Sequence, residues 1–442
     1  MNERVVVPSS EAEVLARADV VVCGAGSAGL GAALAAAREG ASVVLVERWP
    51  FFGGNATAAS LGSICGLFVA SGEGFDYLSG GIAREWAQGL LDAGQAMGPI
   101  PYKETAVMTY TPWGYKRLAD RLVGAERNIT PLLHSLIAGV VTSGDAIEAV
   151  VLATKQGPKA VCGSVFVDAT GDADIVFHAG SSWDMGHPGR LQYPSMQFHL
   201  QGIDLSEALP HLGGLGDKLK AEFEGDRYAL TRTAGAAIPT PRPGEAIGAM
   251  TRVSRSDGSP PDGTDVRDLT DAELRGRAIA EEAARFLATE MPGFGSSFLA
   301  DTAVTIGIRE TRHATGDHVL DFDEAAACTK FDDAVAASCW PFEFHTEGAE
   351  TRWEWVPRGD WFEIPYRSLL PFGVANLLVA GRCISATHEA LASLRVTGVC
   401  MAIGEAAGLA AARAAASGSG VRDVDGTKLR AELISRGSLR DR

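Results

Sequence analysis

Clustered cysteine is missing from this chain. Its seven cysteines, at positions 23, 65, 162, 328, 339, 383 and 400, are dispersed and include no CxxC pair. Iron–sulfur clusters and structural zinc sites need ligands grouped at short spacing, so no metal site is expected. An odd, scattered set reads as reduced thiols in a cytoplasmic protein. No secretory leader is expected either, because Glu3, Glu11 and Glu13 precede any apolar run. The one long apolar stretch, Val20 to Ala37, is broken by glycines, so no membrane span is expected. Positive charge is in short supply: 39 Lys and Arg stand against 55 Asp and Glu, a net −16. Nucleic acid and anionic membrane surfaces would be repelled on average, and neither is expected as a partner. The remaining composition is that of an ordinary globular protein, and 442 residues allow two or three domains.

What the chain does have is glycine at chosen places. Val20-Val21-Val22-Cys23 forms a short apolar strand running into Gly24-Ala25-Gly26-Ser27-Ala28-Gly29. A small-residue helix closed by Gly40 follows, then a second strand from Ser42 to Val46 that ends on Glu47. This is a βαβ unit in which Gly24 makes the tight turn, Gly26 admits a pyrophosphate close to the backbone, and Gly29 lets helix pack on strand. The helix N-terminus offers free N–H groups to phosphates. Glu47 stands where a carboxylate accepts hydrogen bonds from ribose hydroxyls. The fold class expected is α/β with a Rossmann-like dinucleotide-binding domain.

Residues Arg48 to Thr57 read RWPFFGGNAT, and Gly53, Gly54, Asn55 and Thr57 resemble the GGNT-type segment of fumarate-reductase-like flavoproteins. The strand Val165 to Asp168 leads into Ala169-Thr170-Gly171-Asp172, similar to the ATGD pattern of the same superfamily. Near the C-terminus, Asn376 to Arg382, then Leu394 to Cys400 and an Ala/Gly-rich helix, look like its last FAD motif. With Ile306 to Arg312 and Ile364 to Leu369, the set resembles the FAD-dependent oxidoreductase family, of the fumarate reductase/glutathione reductase-like superfamily, from about Val20 to Ala414. The resemblance implies FAD as cofactor. It implies contacts from Gly24, Gly26, Ser27, Ala28, Gly29, Glu47 and Arg48, and from Gly53, Gly54, Asn55 and Thr57. Ala169, Thr170, Gly171 and Asp172 pass the adenosine half, while Gly381, Arg382, Arg395, Val396, Thr397 and Gly398 reach the flavin. None of the nine histidines lies between Glu47 and Gly81, where relatives carry a covalent attachment, so a non-covalent FAD is expected.

Residues 1–17 read as a leader, 18–182 and 366–416 as a discontinuous FAD-binding domain, 183–365 as an inserted α+β substrate-binding domain, and 417–442 as a polar tail. Helices are expected from Gly80 toward Ala93, over Tyr115 to Arg121, and over Asp271 to Glu290 with Thr270 and Glu273 as a capping pair. Apolar runs around Ile129 to His134, Ile147 to Thr154 and Val161 to Val167 read as an antiparallel meander.

A flavin supplies its own redox chemistry, so the protein must place the substrate and handle a proton and charge. His345 and His388 are the candidate bases, with Tyr366 behind them. Arg309, with Arg312 on the same expected strand, is a candidate carboxylate anchor or a member of an internal salt-bridge network. Cys65 reads as an inert buried thiol. Trp353-Glu354-Trp355-Val356-Pro357 resembles the WxWxIP signature of flavin-dependent halogenases, but carries Val in place of Ile, and no Lys occurs between Glu47 and Lys103. The function expected is an FAD-dependent oxidase or dehydrogenase taking hydride from a small organic molecule. The alternatives are a two-component monooxygenase or halogenase, and an electron-transfer subunit of a redox complex. No second GxGxxG has the strand-to-helix context, so reoxidation is expected to use oxygen, a quinone or a carrier protein.

Overall fold

The computed structural model describes residues 11–186, 191–225, 227–345 and 348–441. Its centre is a seven-stranded sheet. Glu13–Cys23 lies in the middle and pairs in parallel with Val43–Val46 on one side and Gly157–Asp168 on the other. Ile129–Leu132 extends the first side in parallel. Gly157–Asp168 is long enough for two neighbours: its end pairs in parallel with Leu377–Val379, and its start pairs antiparallel with Ala146–Thr154, beyond which lies Leu136–Ser143. Val20, Val21, Val22 and Cys23 are fully buried, as a continuous apolar run in a strand covered on both faces should be.

The helix Ser27–Arg38 packs along Thr397–Ser417, and both are buried over almost their whole length. Small residues make this approach possible. A Cβ at Gly404 would fall 1.9 Å from the Ala28 carbonyl oxygen, and one at Gly408 2.1 Å from that of Ala32, so the two backbones touch. Gly404→Ala is therefore expected to force the helices apart, at the upper end of the roughly 1–3 kcal/mol typical of overpacking. A thermal melt checks this, and an unchanged transition would show that the contact can relax without cost. Thr397–Ser417 is also the one helix among the described residues long and apolar enough to cross a membrane, and 78% of its most apolar window is buried inside the protein.

A second apolar core is built on a four-stranded antiparallel sheet in the order Ala236–Pro239, Ala246–Ala249, Phe198–Gln201, Phe298–Thr302. Val266–Glu290 covers it, burying Phe286 and Leu287 among Phe198, Leu200 and Met250. This core draws on Met196 to Ile308, whereas Ala314, Val335 and Ile364, inside the 183–365 segment, pack into the first core.

Several local expectations are corrected. Residues 1–10 of the expected leader lie outside the described residues, but Glu13–Arg17 already belongs to the central strand, pairing with Lys159 to Cys162. Ile129–Leu132 is a parallel edge and no part of the meander. The helix read at Tyr115 starts at Pro112, with Thr111 accepting from the Gly114 N–H. The long helix begins at Val266, because Asp265 accepts from the N–H groups of Arg267 and Asp268. Thr270 instead donates back to the Val266 carbonyl, and Glu273 accepts from Thr305 and Ile306. The 417–442 stretch carries a helix, Gly426–Ser435, that buries Leu429 and Leu433.

Candidate active site

The C-terminal ends of Glu13–Cys23, Val43–Val46 and Gly157–Asp168 all open into one cavity of about 610 Å³, the place where open α/β sheets bind ligands. Gly24 turns the chain out of the first strand with φ +92°, and a Cβ there would lie 2.4 Å from the Ala169 carbonyl oxygen. Gly26 is different. Its backbone is ordinary (φ −72°), and the nearest atom to an added Cβ is the Gly54 Cα, at 3.8 Å. Neither conformation nor packing within the protein demands glycine at 26, yet it lines the cavity. A side chain would fill a cradle left open between two glycine backbones. Directly behind, Ser27–Arg38 has no side-chain cap, so its first-turn N–H groups are available to an anion.

Glu47 leaves the second strand buried, accepting from the Ala25 N–H at 2.8 Å and the Trp49 N–H at 3.0 Å. Burial raises its pKa. Asp172 does not itself line the cavity but gathers two residues that do, Arg382 (3.0 Å) and Arg48 (3.7 Å), together with the Thr311 hydroxyl (2.8 Å). Burial works against its charge, but Arg382 and Arg48 hold its pKa below the usual range. Val396 and Thr397, also on the lining, open the helix Thr397–Ser417, again without a side-chain cap.

Of the expected cofactor contacts, most line this one cavity. Gly29, Gly53, Thr57, Asp172 and Gly398 do not. A Cβ on Gly29 would strike the Gly24 carbonyl oxygen at 1.7 Å. The Gly53 N–H bonds the Ala25 carbonyl, and the Gly398 N–H that of Cys65. The Thr57 hydroxyl donates to the Phe52 carbonyl. These residues shape the walls from behind.

The far end of the cavity has a distinct chemistry. Tyr102, Trp340 and Trp353 form an aromatic wall, with Tyr102 and Trp340 stacked at 5.8 Å and Tyr102 and Trp353 6.1 Å apart. Arg232, Arg309, Arg395 and Glu343 complete it. Glu343 reaches it because Phe342–Phe344 is a strand whose two phenylalanines are buried, which points the residue between them to the opposite face. The Glu343 carboxylate accepts from His345 Nε2 at 2.7 Å. Burial opposes its charge, but the hydrogen bond from His345 and the charges of Arg395 and Arg309 outweigh that and hold the pKa well below the ordinary carboxylate value. His345 is itself buried, and burial together with Arg309 keeps its pKa well below the usual imidazole value. It is thus a neutral donor one hydrogen bond behind the wall.

The other candidates are placed elsewhere. His388 Nδ1 lies 2.8 Å from both Glu310 oxygens, and the Tyr366 hydroxyl donates to the Val421 carbonyl; neither residue lines the cavity. Arg309 and Arg312 occupy a loop, not a strand, and part company: Arg312 pairs with Asp174 at 2.6 Å while Arg309 faces the cavity. Cys65 lines the wall with its thiol pushed up to about 12 by burial, which leaves it protonated and unreactive. Arg232, Tyr102 and Trp340 sit in no motif, so the sequence carries no signal for them. Glu343 is signalled only by its place between two phenylalanines.

A family model described as FAD dependent oxidoreductase matches residues 19–433. The chain belongs to that family. FAD is accordingly the cofactor of this oxidoreductase, and the Gly26 cradle, the uncapped helix and the cavity between them fit a dinucleotide. A 44-residue stretch is 59% identical to NADH:fumarate oxidoreductase of Klebsiella pneumoniae (strain 342), covering 10% of this chain and 5% of that protein. Among solved structures, a geranylgeranyl bacteriochlorophyll reductase-like protein from Thermoplasma acidophilum aligns over 96% of this oxidoreductase and 84% of its own length, with 13% identity and a TM-score of 0.48. The flavin-dependent brominase Bmp2 aligns over 95% and 83%, with 13% identity and a TM-score of 0.46.

Proposed function

We propose that this FAD-dependent oxidoreductase takes hydride from a small organic substrate held at the far end of the cavity, against Tyr102, Trp340 and Trp353. One observation carries the reading: a single cavity runs from the glycine cradle at Gly24 and Gly26 to Glu343, the one carboxylate among the described residues at the aromatic end. Cofactor and substrate then share one space, with a proton acceptor facing the substrate. Bound FAD supplies the hydride acceptor.

Within this reading Glu343, not a histidine, takes the proton. It touches the cavity, whereas His345 acts through it as a positioning residue and His388 is turned to Glu310. As the substrate loses hydride, Glu343 accepts its proton, and the electrons pass on to an external acceptor such as oxygen, a quinone or a carrier protein. The seven cysteines are all free, which supports a reducing, cytoplasmic setting. A cofactor held without a covalent bond is part of the same proposal, because no histidine occurs between Glu47 and Gly81. Acid precipitation is expected to leave intact FAD in the supernatant, and flavin that pellets with the protein would refute this. The main test is anaerobic mixing of the purified protein with amines, alcohols and hydroxy acids while following flavin absorbance. Bleaching by at least one donor is expected. If only a reduced redox protein bleaches the flavin, the chain is an electron-transfer subunit instead.

A further inference from the structure

The arginines in and beside the cavity fall into two groups. Arg48, Arg312 and Arg382 are matched by Asp172 and Asp174. Those at the aromatic end of the cavity are not matched in the same way. Arg309 donates to the Tyr193 carbonyl and the Ser195 hydroxyl, Arg232 to the Thr351 hydroxyl, and Arg395 to the Glu343 carbonyl oxygen of the backbone. Every one of these acceptors is neutral. One carboxylate, Glu343, faces three guanidinium groups there, and it already accepts from His345.

Burying a cation without a counter-charge is costly. Arg232 is only 7% exposed, and burial lowers the pKa of both Arg232 and Arg309, with Arg395 and Arg232 lowering that of Arg309 further. A cavity wall that keeps this uncompensated charge is suited to a ligand that brings its own negative charge. Guanidinium favours a carboxylate, because the planar fork matches two oxygens at once. The aromatic residues set the rest of the ligand. Tyr102, Trp340 and Trp353 pack on one another and line the cavity together, a surface that favours an aromatic or conjugated body over a short chain.

We propose that the substrate is an organic carboxylate whose flat aromatic or conjugated body lies against Tyr102, Trp340 and Trp353, whose carboxylate is held by Arg232 and Arg309, and which carries the saturated alcohol or amine carbon that gives up the hydride. This rests on the reading of the far end as the substrate site. The anion also completes the role of Glu343. Neutralising the arginines removes part of what holds the Glu343 charge, so the carboxylate becomes a better proton acceptor when substrate is bound.

The test uses the FAD-loaded full chain with benzoate, cinnamate and indole-3-acetate, their amides, and propionate. Equilibrium dialysis and tryptophan fluorescence report binding without turnover. At least one aromatic acid is expected to bind at least about 10-fold more tightly than its amide and than propionate, the scale of one lost charge-assisted hydrogen bond. Arg232→Gln and Arg309→Gln should each weaken that acid by about 10-fold with FAD content unchanged, while Arg117→Gln, on the exposed surface, changes nothing. Equal binding of acid and amide, equal binding of propionate, or loss of FAD from both variants would each overturn the proposal. The two readings separate cleanly. A protein that binds the acids but whose flavin no donor reduces faults the redox reading, whereas one reduced by a donor yet binding no acid faults this one.

Discussion

Gly26→Val is expected to yield a folded protein that retains no FAD. At most glycines in the core an added side chain meets protein: at Gly24 it meets Ala169, and at Gly29 the Gly24 carbonyl. Gly26 meets nothing closer than 3.8 Å and has a backbone that any residue adopts. The valine therefore costs the apoprotein little, but it occupies the space beside the uncapped N-terminus of Ser27–Arg38, where a pyrophosphate must approach. Flavin absorbance after gel filtration reads the loss, and a circular dichroism melt matching that of the wild-type apoprotein confirms the fold, since bound cofactor itself raises the transition. Stoichiometric FAD in the variant would remove the cradle assignment.

Glu343→Gln should slow substrate reduction of the flavin by about 100-fold or more, the usual consequence of losing a general base, without loss of FAD. Glutamine keeps the shape and can still accept from His345, so the change isolates the charge. The pH profile is a second check. Glu343 has its pKa below the ordinary carboxylate value, so in the free enzyme it is already ionised above roughly pH 5. The rate kcat/KM, which reports the free enzyme, should then show no acid limb from this group across roughly pH 5–8. A limb near the usual histidine value of about 6.5, together with a wild-type rate in Glu343→Gln, would return the role to a histidine.

The cofactor half of the site is legible in the sequence because its information is local. A glycine turn between an apolar strand and a helix is written in consecutive residues, and Glu47 follows at the end of the next strand. The substrate half is not. Arg232, Arg309, Glu343 and Tyr102 come from four separate stretches, and nothing in any one of them announces that the others are near. His388 and Tyr366 stand close to the last motif in sequence, but proximity along the chain does not fix the direction of a side chain. Capping misleads for a similar reason: Thr270 and Glu273 have the right spacing, yet Asp265 lies five residues earlier and starts the helix there. Strand direction is also hidden, since Ile129–Leu132 has the same apolar pattern whichever way its neighbour runs.

The touching backbones of Ser27–Arg38 and Thr397–Ser417 have a consequence for how the protein is made. The cradle is synthesised early and its lid late, and Gly404 and Gly408 must seat on Ala28 and Ala32 before the cavity has its second wall. Contacts of such long sequence separation form slowly, because the loop between them has to be closed first. A chain still emerging from the ribosome thus holds the glycine turn without a pocket around it, and cofactor capture becomes a late event that marks the completion of folding.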